Sequence, residues 1–507
     1  MQRHEWTRRQ ALAGAGAAAT GLAGLAGLGA AGCSSDPPAP VKSKAAAAVS
    51  HAGEQHFVSR PDLTPPVVTM TRPGTAAGPG QHLFLAPSPN GAGQGGSMIL
   101  DPAGRLVWFS PSSGRTRFMD LQVQSYRGKP VLTWWEGEIS AVGVGEGAGV
   151  IADTSYRRLH TIHAAHGLRA DLHEFVLTPQ GTALITAYRT TTADLSGVGG
   201  PASGPVFSGV VQEIDVATGK LLFEWESLGH VDVAETNAAF AGASASKPFD
   251  YFHINSIAVA PDGDLIISAR NTWAIYKIAR PGGRVRWRLG GKKPSFDMGP
   301  GTDFYWQHDA RPHGDSTISL FDDGAAPPKE KESRVLLLDV DTKAGRVTLR
   351  RAYTHPEHLR ADAEGNAQVL QNGNVVVGWG TTAAFSEFSE AGDLLLDGKL
   401  PKDDETYRAF RQQWSAQPAG PPAVAARSAP GGGAVVYASW NGATEVDSWT
   451  VHAGASASSL APAGSAPRTG FETAITVSHP GPYFTAHAHD ASGATLARGV
   501  PVRVTTS

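Results

Sequence analysis

Only one cysteine, Cys33, occurs in 507 residues, so a disulfide within the chain is impossible. Surplus charge is also missing. Lysine and arginine number 43 against 46 acidic residues, for a formal net charge of −3, which gives no basis for nucleic-acid binding or a basic membrane-binding face. Long helices are disfavoured by 60 glycines and 35 prolines, a supply that suits short strands joined by tight turns. What remains is 41% hydrophobic and 18% charged, the composition of a soluble globular body. The length suits two or three domains at ~150 residues each.

The first residues read as an address. Thr7-Arg8-Arg9-Gln10-Ala11-Leu12 precedes a small, apolar run that ends at Ala30-Ala31-Gly32-Cys33. Paired arginines before a mild apolar region resemble a twin-arginine export signal. The small residues before Cys33 resemble a lipoprotein cleavage box, with Ala30 where leucine is more usual. The run's glycines and alanines make it a weak transmembrane helix. Residues 1–33 are therefore expected to be an export and lipid-attachment signal, with Cys33 as the acylated residue. Residues 34–60, rich in Ser, Pro, Ala and Lys, read as a flexible tether. The expected location is the extracytoplasmic face of the membrane as a lipoprotein, or the secreted space, with membrane contact through the lipid alone.

Past the tether one unit recurs: a short apolar strand, a turn with Asp or Gly, and a second strand. Its copies turn at Gly104, after Asp153, and at Gly219, Gly283, Gly345 and Gly392. Six hairpins at a spacing near or above the ~40–50 residues of common propeller repeats predict an all-β fold, a six-bladed β-propeller over residues 61–418. A second type of strand pair precedes most hairpins, opening at His173, His253, Gln307 and Ala367. In a propeller such first strands line the central channel. From about Gly420 the pattern changes to short alternating strands with a tryptophan at Trp449. Residues 419–507 look like a fibronectin type III β-sandwich without chemistry of its own.

Histidine is the residue with chemical promise. His173, His253 and His308 stand at equivalent strand starts, a register that random placement of 18 histidines would rarely produce. All three are expected at one end of the channel, with Arg270 returning beside His253 at the end of its hairpin. Imidazoles with an arginine suit an anion whose group is transferred: a nucleophile, a proton carrier and a permanent positive fork for the oxyanion. A metal is the rival reading, since His160, His163, His166 and His173 crowd one segment, but their spacing fits no standard zinc signature. His355 and His358 are expected to be solvated loop residues.

Several motifs carry a family resemblance. Asp250-Tyr251-Phe252-His253-Ile254-Asn255-Ser256-Ile257, Ile267-Ser268-Ala269-Arg270-Asn271, Trp287-Arg288-Leu289-Gly290-Gly291-Lys292 and Trp306-Gln307-His308-Asp309-Ala310-Arg311 resemble the arylsulfotransferases, over roughly residues 60–415. The resemblance implies a six-bladed propeller that needs no cofactor and no nucleotide sulfate donor. It implies transfer of a sulfuryl group from a phenolic sulfate ester to a phenol through a sulfated histidine. Matched position by position, that histidine is His308. His253 and Arg270 hold the sulfate, and His173 manages charge or protons at the phenol. Asn255, Trp306, Arg311 and Trp379 complete the expected substrate-binding set, the tryptophans as platforms for aromatic rings, although such aromatics are more often core. Better-known members carry a disulfide and an N-terminal β-domain, for which this chain has neither the cysteines nor, in residues 34–80, the length. The competing readings are a surface protein that binds an anionic or carbohydrate ligand without chemistry, and a quinone-dependent dehydrogenase or lactonase. The last two would need tryptophan docking repeats or acidic channel residues where this chain has histidines.

Overall fold

In the computed structural model the described residues are 53–72, 80–88, 93–140, 142–430, 432–478 and 481–505. The expected signal at 1–33, Cys33 and most of the tether lie outside them. Among the described residues the only helices are 3-10 turns of three residues, and none is long and apolar enough to cross a membrane. Everything else regular is strand, as the glycine and proline content predicts.

The strands fall into four-stranded antiparallel groups. The first takes Phe410–Gln413, Gln81–Leu85, Gly96–Leu100 and Leu106–Pro111, so the chain returns from residue 410 to pair with its own beginning. The second runs Arg117–Tyr126, Lys129–Ile139, Gly145–Ala152 and Arg158–Ile162, and the third Ala170–Leu177, Thr182–Ala193, Gly204–Asp215 and Leu221–Glu226. These two join into one sheet through the Ala170–Gly147 pairing. Ile254–Val259 to Val285–Gly290 form the fourth group and His308–His313 to Arg346–Thr354 the fifth. Asn366–Val369 to Leu394–Lys399 form the sixth, edged by Thr69–Arg72 from the other end of the chain. The arrangement is propeller-like. The expected hairpins are the outer two strands of each group, and their turn glycines at 219 and 392 adopt φ of +72° and +99°, a region that glycine enters at little cost.

Between neighbouring groups lie wedges of buried apolar side chains. One packs Leu184, Val211, Trp225, Tyr251, Phe252, Ile257 and Tyr276 between the third and fourth groups. Each such side chain removed from water contributes about 1.5–3 kcal/mol. Residues 423–503 fold as two facing sheets, one of Ala423–Ser428, Ala434–Ser439 and Glu472–Val477, the other centred on Ser448–Ser456 and Tyr483–His489. Trp449, Val451, Phe484 and Ala486 fill the space between them. This unit is docked on the first two groups. The Asn441 side chain exchanges hydrogen bonds with the Phe109 backbone at 2.9 and 2.8 Å, and the Tyr156 hydroxyl donates to the Gly442 carbonyl at 2.8 Å.

Candidate functional site

The innermost strands of four successive groups carry the chemistry, and each is interrupted. Pairing slips between Met119 and Gln122, Ala170 and Phe175, Ile254 and Ser256, and His308 and Arg311. A bulge bends a strand and re-aims its side chains, here towards the axis. The backbone is strained in the same places. Asp120, His253, Trp306 and Asp309 hold φ of +57°, +55°, +60° and +54°, each at a cost of about 1–3 kcal/mol.

His173, His253 and His308 meet in this region and are only 4%, 7% and 2% exposed. The rings of His173 and His253 lie 4.8 Å apart at 80°. Their register is less uniform than the sequence suggests. His173 and His308 immediately precede the axial carboxylates Glu174 and Asp309, whereas His253 stands two residues before its counterpart Asn255 and reaches the site through its left-handed backbone.

Each imidazole is held by a carboxylate at the same nitrogen. Nδ1 pairs with Asp171 at 2.6 Å in His173, with Asp250 at 2.6 Å in His253 and with Asp323 at 2.7 Å in His308. A neutral imidazole that donates from Nδ1 keeps its lone pair on Nε2, so all three rings are oriented with that atom as the free acceptor. Burial, with help from Arg270, His253 and His173, pushes His308 well below the usual histidine range. Burial also lowers His253, against the opposing pull of Asp250. Both rings are thus neutral bases at neutral pH. Burial raises Asp323 well above the carboxylate range despite Arg270, while for Asp171 the His173 ring and hydrogen bonds outweigh burial and hold it low.

Arg270 lies where the sequence puts it. Its backbone N–H donates to the His253 carbonyl at 2.9 Å. The guanidinium sits 4.9 Å over the Trp306 ring and donates to the Asp362 carbonyl at 3.0 Å. Its Nε is buried without a hydrogen-bond partner, an unused donor beside the histidines. Trp306 is therefore a backing plate for Arg270, with its own Nε1 donating to the Pro327 carbonyl at 3.1 Å.

Behind the histidines the channel is closed by ions. Arg408, fully buried, pairs with Asp120 and Glu174 at 3.0 Å each and with Asp309 at 3.5 Å, and donates to the carbonyls of His173 and Asn255. The Tyr407 hydroxyl reaches the same two carbonyls at 3.1 and 3.3 Å.

Three expected residues take other roles. Trp379 is fully buried between the fifth and sixth groups against Phe321, His355 and Phe388, and its Nε1 donates to the Ser386 hydroxyl at 2.9 Å, so it has no face free for a ligand. Arg311 is consumed by Glu174 at 2.6 Å, Asp309 at 2.8 Å and the Ile257 carbonyl at 3.0 Å, as part of the ion plug. Asn255 is fully buried and donates to the Gln307 carbonyl at 2.7 Å, leaving its Oδ1 unpartnered. His355, expected in solvent, is instead buried on Trp379 with its Nε2 3.1 Å from Asp397, whereas His358 is exposed as expected. The crowded segment does not gather round an ion: His160 packs edge-on against Tyr126 and His166 pairs with Glu224. Among the described residues no group of three or more His, Cys, Asp or Glu side chains has metal-holding geometry.

Sequence reasoning missed the three carboxylates. Asp171 and Asp250 stand two and three residues before their histidines, a local pattern that was available; Asp323 comes from the next strand and is found only through the fold.

The family profile described as Arylsulfotransferase (ASST) matches residues 122–400, which contain every residue of the histidine site. The chain belongs to the arylsulfotransferase family. No curated protein matches it. Among solved structures, this arylsulfotransferase family member is similar to a protein of unknown function from Bacteroides caccae, at 12% identity and TM-score 0.39, over 65% of this chain and 98% of that one. It is similar to the calcium-binding protein regucalcin from Agrobacterium tumefaciens, at 15% identity and TM-score 0.30, over 61% and 77%. It is also similar to a catalytically inactive virginiamycin B lyase from Staphylococcus aureus with quinupristin, at 11% and 0.32, over 73% and 96%.

Proposed function

We propose that this chain transfers a sulfuryl group from a phenolic sulfate ester to a phenolic acceptor through a covalent sulfo-histidine at His308. The observation that carries this reading is the set of three imidazoles, each fixed at Nδ1 by its own carboxylate, around an arginine with an unused Nε. Family membership supports the reaction class.

In the first half-reaction the His308 Nε2 lone pair attacks sulfur and the bond from sulfur to the phenolic oxygen breaks. Arg270 and His253 face the sulfuryl oxygens. Bringing the ester's negative charge beside His253 offsets the effect of burial and favours its imidazolium, which then donates to an oxygen. His173 steadies charge at the phenolic oxygen. Asp323 Oδ2 accepts from Nδ1–H, and the positive charge of the sulfated ring offsets the effect of burial and favours the Asp323 carboxylate, which supports that charge. In the second half-reaction an acceptor phenol attacks sulfur, the sulfur–nitrogen bond breaks, and Nε2 recovers its electron pair.

Six four-stranded groups, with the first completed by Phe410–Gln413, support reading the body as a six-bladed propeller. The three-plus-five strand division of residues 423–503, with Trp449 in its core, supports a fibronectin type III-like sandwich. The N-terminal sequence supports export and lipid attachment at Cys33.

The test is intact-protein mass spectrometry with peptide mapping after brief exposure to 4-nitrophenyl sulfate. A sulfuryl adduct on His308, discharged by added phenol and absent from His308→Ala, is the expected outcome. No adduct and no released nitrophenol across a range of acceptors would replace this reading with a ligand-binding pocket that does no chemistry.

A further inference from the structure

One carboxyl without a part in the scheme above stands at the entry to the sixth group of strands. Its innermost strand, Asn366–Val369, opens without a histidine. Two residues before it stands Glu364, at φ +73°. The segment around Glu364 is fixed on both sides. Arg270 donates to the Asp362 carbonyl at 3.0 Å, and the Gly365 N–H donates to the carbonyl of Tyr407, whose ring lies 5.9 Å from that of His173. No bulkier residue fits at 365, because a Cβ there would meet the Phe321 ring at 2.6 Å. The carboxyl's Oε2 is buried with no hydrogen-bond partner. It lies within electrostatic reach of Asp323, whose carboxyl holds His308.

We propose that Glu364 is the proton carrier of the transfer: its carboxyl protonates the departing phenolic oxygen, and its carboxylate takes the proton of the acceptor phenol. This rests on the sulfuryl-transfer reading and adds to it the group that balances the protons. As the sulfur–oxygen bond breaks, the electron pair stays on oxygen and the Glu364 proton moves to it, leaving a neutral phenol and a carboxylate. When the acceptor attacks the sulfo-histidine, its hydroxyl proton returns to Glu364, sulfur forms the new bond to oxygen, and the sulfur–nitrogen pair returns to His308. No oxidant or further reactant is required. Burial, together with the neighbouring Glu405 carboxyl, raises Glu364 well above the usual carboxylate range, which keeps it protonated in the resting site. His308, held neutral by burial, has no proton on Nε2 to give, and the one that His253 gains when the ester is bound is directed at a sulfuryl oxygen.

The experiment measures kcat/KM for a series of aryl sulfates, from 4-nitrophenyl sulfate to phenyl sulfate, in the wild-type protein, E364Q, E364D and H173N. A leaving group as basic as phenol (pKa ~10) needs an acid, whereas the stabilised 4-nitrophenolate does not. E364Q is expected to lose about 10²-fold or more with phenyl sulfate and only a few-fold with 4-nitrophenyl sulfate, the range that general acid catalysis supplies. E364D should restore part of the loss. An equal loss along the series marks a structural role and overturns the inference, as does no loss at all. A leaving-group dependence that steepens in H173N and stays flat in E364Q assigns the proton to His173 and overturns it too. If the variants do not fold, the wild-type protein decides alone: a solvent deuterium effect with phenyl sulfate and none with 4-nitrophenyl sulfate supports an acid, and no effect with either excludes one. A wild-type protein that releases no nitrophenol fails the parent reading itself, which separates that failure from the failure of Glu364.

Discussion

At the residue scale the site is governed by which ring nitrogen is free. Asp323 Oδ2 lies 2.7 Å from His308 Nδ1 and so keeps the lone pair on Nε2. In Asp323→Asn the amide can present an N–H to Nδ1, which shifts the ring proton to Nε2 and removes the nucleophile. Transfer is expected to fall about 10²- to 10⁴-fold with the thermal unfolding profile retained. Activity within threefold of wild type would contradict the assignment. The acid limb of the pH profile follows from the same ring. Its pKa is depressed well below 6.5 by burial and by Arg270, His253 and His173, so Nε2 stays unprotonated as pH falls through 6.5. The rate of sulfuryl loading is expected to hold level there and to decline only further down, where the ring takes up a proton. A limb at or above pH 6.5, read from nitrophenol bursts, would place the titration on another group.

At the element scale the inner strands and the turns before them decide what reaches the axis. Gly380 follows Trp379 at φ +51°, and a Cβ there would run into the Ala363 carbonyl oxygen and stand 3.0 Å from the Glu364 carbonyl carbon. Gly380→Ala should therefore cost at least the roughly 1–3 kcal/mol of a left-handed alanine, seen as a lower denaturation midpoint, and should lower transfer per folded molecule because the segment bearing Asp362 and Glu364 shifts. Trp379 gives the contrast. Its replacement by leucine leaves a cavity among Phe321, His355 and Phe388 and should destabilise by about 2–4 kcal/mol while leaving transfer per folded molecule unchanged. The hairpins were legible in sequence because a glycine turn between two short apolar strands leaves the backbone little other choice. The three histidines were legible because they recur near strand starts, and Arg270 because it closes the hairpin that His253 opens. Asp323 was not, since its contact with His308 exists only once the Thr317–Asp322 strand has paired back along His308–His313. Trp379 was expected as a platform for an aromatic ring, whereas its ring is packed inwards among Phe321, His355 and Phe388, the core role that such aromatics more often take. His355 misleads because its burial is set by Trp379 and Asp397, far along the chain.

At the scale of the whole molecule, Arg408 is the residue that most groups share. It ties Asp120 of the second group, Glu174 of the third, the Asn255 carbonyl of the fourth and Asp309 of the fifth to the strand that closes the first. Arg408→Met leaves three buried carboxylates with Arg311 as their one remaining cation in the plug. A loss of about 3–5 kcal/mol is expected, with all groups unfolding in a single transition. A change under 1 kcal/mol by denaturant titration would mean that the plug contributes little. Residues 53–55 pair with residues 65–67, and between these two stretches the chain touches the other unit. The Val58 and Ser59 N–H groups donate to Glu472 at 3.2 and 2.5 Å, and Phe57 packs on Phe471 at 4.3 Å, all before the first strand of the ring is reached. Tension applied at this end would first strip residues 53–55 from 65–67 and then shear the 57–59 segment from Glu472 and Phe471. These two sets of contacts are in this sense a strain relief: they take up a pull on the chain before the strands that carry the histidines can be deformed.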